Sequence, residues 1–479
     1  MPPVRRTAAS GGHGWLLRRI SRGDDYSGDL FGGDHGRSLP DDALSPVLAR
    51  LPTAADVVRC AAACRRWASV VAKDAAVLSR TLAPPLQGLT LGFFHQPDGA
   101  TGATPRKRKR LSSNDDSDTA AQPRFFPSAA AAGLLGLRSP SKTALADAVL
   151  DDQGRSSRLL EHARPVASRN GCLVVELRRE RHTEGLTLCV VNPMTGDLAQ
   201  VPPLSGSDKP GDYACALYTG HDDLVSPPLS SFFFRVLIVY NRRSSTVLRS
   251  YSSDTRSWSA EVNRSWGPKV SSEDLRALGQ SIVLRGVAYW PLRRTVLAVR
   301  IDTPEPAELR MPLSGTSSLP LGWRSLGVTP DGRLTFIDAA VCGGEYVTVA
   351  ARAFLCPKAG EDDDGGGKWE TIRGNCIRMT QLKLRCRDRD TPYEETIKLR
   401  WFCEKSGNLF FTLGKGTRSP GAFTVNMSTE QVEKVADDVD GLLHSDRGSW
   451  PNFVGYEMDG PTYLAAVLSG RLHSSNLRH

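Results

Sequence analysis

Several stretches of this 479-residue sequence carry residue types that could do chemistry. In "LFFTLGKGT", Lys415 follows Gly414, the Gly-Lys pair with which phosphate-binding loops grip a nucleotide. Such a loop needs another Gly five residues before Gly414, where Leu409 stands, and Ser or Thr after the lysine, where Gly416 stands. A β-turn is the better reading. "EDDDGGGKW" sets Glu361, Asp362, Asp363 and Asp364 before three glycines, but without the alternating acidic spacing of a calcium loop. Counted from Asp362, position twelve is Arg373 where the loop needs Glu, so a solvated hairpin tip is expected. The ten Cys form no C-x-x-C and the nine His no H-x-x-x-H, so the common zinc spacings are absent. There is no G-x-S-x-G, and ten thiols single out no Cys, His and Asp set. A non-catalytic chain with no cofactor and no metal is expected.

One charge run remains. "PRKRKRL" places Arg106, Lys107, Arg108, Lys109 and Arg110 in succession. Lys and Arg exceed Asp and Glu by 61 to 52, and much of that excess sits in this run and in the Arg-containing N terminus. Three readings stay open for the run: a solvated charge cluster, a nuclear-import signal, or a grip on nucleic-acid backbone. The last has least support, because no aromatics interleave the cations and no nucleic-acid-binding fold accompanies them. Nucleus, cytoplasm or both are the expected locations.

Such residues need elements to position them, and the texture of the chain divides into four parts. Residues 1–37 are rich in Gly, Ser and Arg without apolar periodicity and are expected to form a disordered tail. An organelle transit peptide is the minority reading of its acid-free start. Residues 38–82 read as helix, and 83–152 as a linker or disordered insertion that carries the basic run. Residues 153–479 change to short β-branched and aromatic runs such as "GCLVVEL", "FFFRVLIVY" and "LFFTL", separated by turn residues. No amphipathic helix recurs between these runs, which argues against a parallel doubly wound sheet. No apolar run approaches the roughly 18 residues of a membrane span. Absence of a secretory signal implies reduced thiols.

The turns repeat. Thr195, Thr255, Thr303 and Thr429 each follow one strand run and precede another, at steps of 60, 48 and 126 residues. The long last gap is about two steps, with "EDDDGGGKWE" as a turn inside it. A period near 50 to 60 with several strands per unit fits a β-propeller blade better than a sandwich, and the length allows about six blades. A ring must close, or its end blades leave unpaired edges. The C-terminal "NFVGYEMDGPTYLAAVL" is therefore expected beside strands at 165–200, with Phe453, Tyr456, Tyr463, Leu464 and Val467 buried.

In the helical part, "DDALSPVLARLP" repeats apolar residues every three to four positions, as does "DVVRCAAACRRWASVV". A unit of about 45 residues is too small for a stable core of its own and should lean on a partner. Pro46 forfeits a backbone hydrogen bond if the first helix starts at Asp42, and is a favourable first residue if it starts at Ser45. The stretch resembles the F-box in Leu39, Pro40, Leu44, Val47, Leu48, Leu51, Pro52, Val57, Val58, Cys64 and Trp67. The resemblance implies that these residues dock on a Skp-family adaptor and, through it, a cullin scaffold.

The remainder resembles the F-box-associated, kelch-like propellers of plant proteins. "VVNPMTGDLAQVPP", "YSSDTRSW", "GVAYW" and "DGRL" carry that resemblance in order along the chain. Together the two resemblances imply a mainly β protein with a small helical N-terminal domain. Its implied role is substrate receptor of an SCF-type ubiquitin ligase, with the propeller binding an unknown protein target. The alternative is a propeller interaction scaffold that presents nothing for degradation.

Overall fold

Helix α1 (Asp41–Leu48) and helix α2 (Arg65–Lys73) form the N-terminal module. The structure, a computed structural model, describes residues 40–51, 56–57, 60–61, 65–74 and 78 here. Beyond them it describes 89–95, 123–128, 143–144, 160, 163–177, 186–193, 197–204, 212–222, 232–242, 245–263 and 269–292. The remaining described stretches are 295–304, 306–310, 324–342, 346–355, 368–378, 397–413, 421–437 and 453–458. Asp41 and Asp42 occupy the first turn of α1, where the helix dipole favours carboxylates. Because α1 begins at Asp41, Pro46 lies inside it and removes one intrahelical bond.

The strands make six antiparallel sheets arranged as blades of a propeller. The earliest are β1 (Leu89–His95), β2 (Arg124–Pro127) and β3 (Thr143–Ala144). The first complete blade is β4 (Arg164–Arg169), β5 (Cys172–Glu176), β6 (Leu188–Val191) and β7 (Leu198–Gln200). The second is β8 (Tyr213–Thr219), β9 (Phe234–Asn241), β10 (Thr246–Ser252) and β11 (Ser257–Trp258), with β12 (Val262–Asn263) also on β10. A short helix, α3 (Ser272–Ala277), leads to the third blade. That blade is β13 (Ile282–Leu284), β14 (Val287–Pro291), β15 (Thr295–Arg300) and β16 (Pro306–Arg310). The fourth is β17 (Arg324–Val328), β18 (Leu334–Cys342), β19 (Tyr346–Leu355) and β20 (Lys368–Arg378). The fifth is β21 (Ile397–Phe402), β22 (Asn408–Leu413), β23 (Gly421–Asn426) and β24 (Val432–Asp437). Last comes β25 (Phe453–Met458), which pairs with β1 and completes a sheet in the order β25, β1, β2, β3.

That closing sheet corrects two expectations. The stretch 83–152 is not linker throughout, since it contributes β1, β2 and β3 to the propeller, which therefore starts at Leu89 and not at 153. Likewise β25 takes β1 as its ladder partner, with Phe93 opposite Gly455 and Phe94 opposite Val454, and no strand of 165–200. No local period can announce a pairing across some 360 residues of sequence. The expected neighbour still touches: Gly171 donates its backbone N–H to Glu457 across the blade boundary at 2.8 Å, and Tyr456 donates its hydroxyl to Gly171. Phe453 and Tyr456 are buried as expected, while Tyr463, Leu464 and Val467 lie outside the described residues.

Apolar clusters fill the joints between blades. Phe93, Phe126 and Phe453 stack with centroids 4.5 and 4.9 Å from Phe93 and meet Trp401 and Phe410 of the fifth blade. A Cβ at Gly455 would come within 1.8 Å of Trp401, so only Gly lets β25 approach that ring. The Thr markers fall where the period places them. Thr255, Thr303 and Thr429 all sit between the third and fourth strands of their blades, while Thr195 and residues 361–367 of "EDDDGGGKWE" lie outside the described residues.

Candidate functional site

Two surfaces carry the groups from which function can be argued: the helical module, and one end of the propeller. In the module, the four-residue spacing of Leu44 and Leu48 puts both on one side of α1. There they are buried with Val57, Ala61, Val70, Val71 and Leu78. Val47 projects elsewhere and is 48% exposed. Asp41 accepts from Nε of Arg66 at 2.7 Å, fastening the start of α1 to α2. The residues expected to meet an adaptor therefore separate. Leu44, Leu48 and Val57 build the module's own interior, while Pro40 and Val47 are exposed and Leu51 and Trp67 half-buried. Leu39, Pro52, Val58 and Cys64 lie outside the described residues, as do Arg106, Lys107, Arg108, Lys109 and Arg110.

At the propeller, the inner strands β4, β8, β13, β17 and β21 each end on a turn toward one face. Asn170 and Gly171 (φ 47° and 79°) and Arg285 and Gly286 (51° and 76°) make two-residue hairpin turns, whose strand-matching twist requires positive φ at both positions. Residues at four of these strand ends meet around Arg169, which is 7% exposed. Its Nε donates to Asp222 at 2.8 Å, its Nη1 to Glu404 at 2.8 Å and its Nη2 to the Val283 carbonyl at 2.9 Å. Glu404 also accepts from the Val283 N–H at 2.9 Å, and Asp222 from the Thr219 N–H and from Asn170. One guanidinium thus ties the first, second, third and fifth blades.

The electrostatics follow from burial and pairing. Burial opposes ionisation of Asp222, but the adjacent Arg169 guanidinium outweighs it and holds the carboxyl below its usual range. Arg169 is itself buried, yet the two carboxylates hold its pKa above the ordinary value. Glu457 on β25 is 3% exposed, and burial, reinforced by the charge of Glu404, pushes its carboxyl up to about 7. It accepts a hydrogen bond from the Cys403 thiol. Burial, then the Glu457 charge, keeps that thiol well above its usual range, so it is no nucleophile.

Asp222 and Glu404 are thus both committed to Arg169. Two cations at the same face are not: among the described residues neither Lys405 nor Arg285 makes an ion pair. A cavity of about 210 Å³ is lined by Arg169, Asp222, Arg285, Glu404 and Lys405. A second of about 540 Å³ lies between the fourth and fifth blades, lined by Val328, Ile337, Ile372, Phe402 and Met427, and shares Val328, Glu404 and Lys405 with the first. Among the described residues no group of three or more His, Cys, Asp or Glu could hold a metal ion, and no helix is long and apolar enough to cross a membrane.

None of this cluster is legible in the local sequence. The contacts of Arg169 reach 53 and 235 residues along the chain. The one local signal is an Arg-Asn-Gly turn in "SRNGC", which announces a hairpin and nothing of what the arginine meets.

A family model for F-box-like domains matches residues 37–81, so the chain carries an F-box-like domain ahead of its six-blade propeller. No curated protein matches the chain significantly. Among solved structures, an α-L-arabinanase of Penicillium chrysogenum complexed with arabinobiose aligns at 11% identity and a TM-score of 0.33, over 62% of this chain and 93% of its own. A 6-phosphogluconolactonase candidate from Bacteroides uniformis aligns at 10% identity and 0.31, over 73% and 95%. The WD40 domain of SCAP from fission yeast aligns at 11% and 0.26, over 58% and 66%. Likeness this weak bears on neither fold nor activity, and the blade count rests on the strand pairing of this chain.

Proposed function

We propose that this chain is the substrate-recognition subunit of an SCF-type cullin ubiquitin ligase. Its F-box-like module docks on a Skp-family adaptor, and through it on a cullin, while the propeller holds a target protein. The observation that carries this reading is the joining of an F-box-like domain, a class that generally binds such adaptors, to a closed propeller with an open cleft at one end. The exposed Val47 on a module with so small a core supports an adaptor face there. The order of the Asn-Pro-x-Thr, Tyr-Ser-Ser and Asp-Gly-x-Leu segments supports a propeller of the kelch-like, F-box-associated kind found in plants.

The role is non-catalytic. Holding a target beside a charged ubiquitin carrier raises the effective concentration of its lysines, and proximity is the contribution. The carboxylates at the propeller end support this, since both are spent on Arg169. The basic run at Arg106–Arg110 would direct the chain to the nucleus, and alanines at all five positions should lower the nuclear fraction of a fluorescent fusion.

The test of the main reading is co-purification. The full chain should bring down adaptor and cullin, and a chain lacking 37–81 should bring down neither. Equal recovery from both would overturn it. Bound targets should accumulate on proteasome inhibition; targets whose level is unchanged would favour a scaffold that presents nothing for degradation.

A further inference from the structure

Ile372 and Val47 are the two large apolar side chains left exposed among the described residues. Ile372, 43% exposed on β20, borders the 540 Å³ cavity beside Val328, Met427 and the buried Phe402. Lys405 lines both that cavity and the smaller one, and Arg285 lines the smaller one. The negative groups of the region are already matched: Arg169 holds Asp222 and Glu404, and Glu457 is buried behind them. Two cations that form no salt bridge among the described residues, next to an apolar trough, complement a chain that carries an apolar side chain and a carboxylate. In an extended peptide, side chains two positions apart lie on one side about 6.5–7 Å apart, so one short segment can present an apolar residue and a carboxylate to the same face.

We propose that these adjoining cavities bind an extended acidic segment of the target, seating one apolar side chain against Ile372, Val328 and Met427 and holding a nearby carboxylate at Lys405 and Arg285. The proposal rests on the receptor reading and names the chemistry of its target. Rim charges of this kind set partner choice, and the apolar anchor supplies the affinity.

The test is a selection of randomised ten-residue peptides displayed on phage against the full-length protein, followed by fluorescence polarisation with the consensus peptide. Selected peptides should carry an aliphatic or aromatic residue with Asp or Glu within three positions. Lys405→Glu, Arg285→Glu and Ile372→Asp should each weaken the consensus peptide at least tenfold, with thermal transitions close to that of the parent protein. Asn or Gln in place of the peptide's acids should do the same. A selection on Lys405→Glu should turn toward Lys and Arg, a readout that misfolding would not produce. Peptides without acidic enrichment, or undiminished affinity in Lys405→Glu, would overturn the proposal. So would affinity that appears only after Glu361, Asp362, Asp363 and Asp364 are replaced by Ser, which would give the cleft to the chain's own acidic stretch. Adaptor binding is measured on the same samples. Its presence without acidic peptide selection rejects this site alone, and its absence rejects the receptor reading while peptide selection stands.

Discussion

Among the described residues the helical module gathers seven buried apolar residues around its centre between α1 and Leu78, whereas a single cluster spanning the third to fifth blades gathers sixteen. The module's first helix has no side-chain cap and carries Pro46 within it. The propeller closes on itself: β25 returns to β1, and Arg169 binds four blades together. The difference teaches where each region finds its stability. A unit near 45 residues has too little interior to stand alone and gains by covering its surface with a partner. A closed ring leaves no end blade unpaired, and only the outer strand of each blade keeps an edge. Among the described residues both regions nonetheless leave one large apolar side chain exposed, Val47 in the module and Ile372 in the propeller.

The largest effect is expected at the ring. Ending the chain before Phe453 removes four buried apolar side chains, Phe453, Val454, Tyr456 and Met458, each worth about 1.5–3 kcal/mol if fully buried. Their sum, on the order of 6–12 kcal/mol, rivals the ~5–15 kcal/mol by which domains are stable. Calorimetry should show the propeller transition lost as a whole. A transition within a few degrees of that of the full chain would mean that the blades do not form one cooperative ring.

Next in size is Arg169→Ala, which strands Asp222 and Glu404 and should cost about 3–5 kcal/mol in denaturant unfolding. A loss under 1 kcal/mol would leave the blades held by apolar contacts alone.

Glu457 sharpens the comparison through pH. Its folded pKa of about 7 stands above the ordinary 4.5, so the folded state favours the protonated form. This contribution is fully present below about pH 4.5 and is lost as pH rises through 7. At about 1.4 kcal/mol per unit the change is on the order of 3 kcal/mol. Glu457→Gln should raise the melting temperature at pH 8, with little effect at pH 4.5. An equal effect at both pH values would show that its proton plays no part.

The smallest effect lies in the module. Pro46→Ala restores a helical hydrogen bond and should stabilise it by about 1–3 kcal/mol, read as slower amide exchange in α1. Unchanged exchange would mean that the first turns are held by tertiary contact instead.

Much of this architecture is legible in the residues. The spacing of Thr255, Thr303 and Thr429 marks equivalent hairpins because each blade must turn between its third and fourth strands. The spacing of Leu44 and Leu48 marks a buried face, but not whose interior they fill; an adaptor and the module's own core call for the same period. "LTLGFFH" falls in the stretch that the sequence assigns to a linker, since its partner β25 lies at the far end of the chain. The Arg169 cluster leaves no local trace either, because the ring brings residues of four blades together and no one blade carries more than a fragment of it.

The separation of the two regions is best tested by titrating a purified Skp-family adaptor onto the full-length protein and onto its Val47→Asp and Ile372→Asp variants by calorimetry. The account predicts a one-to-one complex with the parent and with Ile372→Asp, and at least tenfold weaker binding with Val47→Asp at an unchanged thermal transition. No adaptor binding by the parent protein, or equal binding by Val47→Asp, would contradict it.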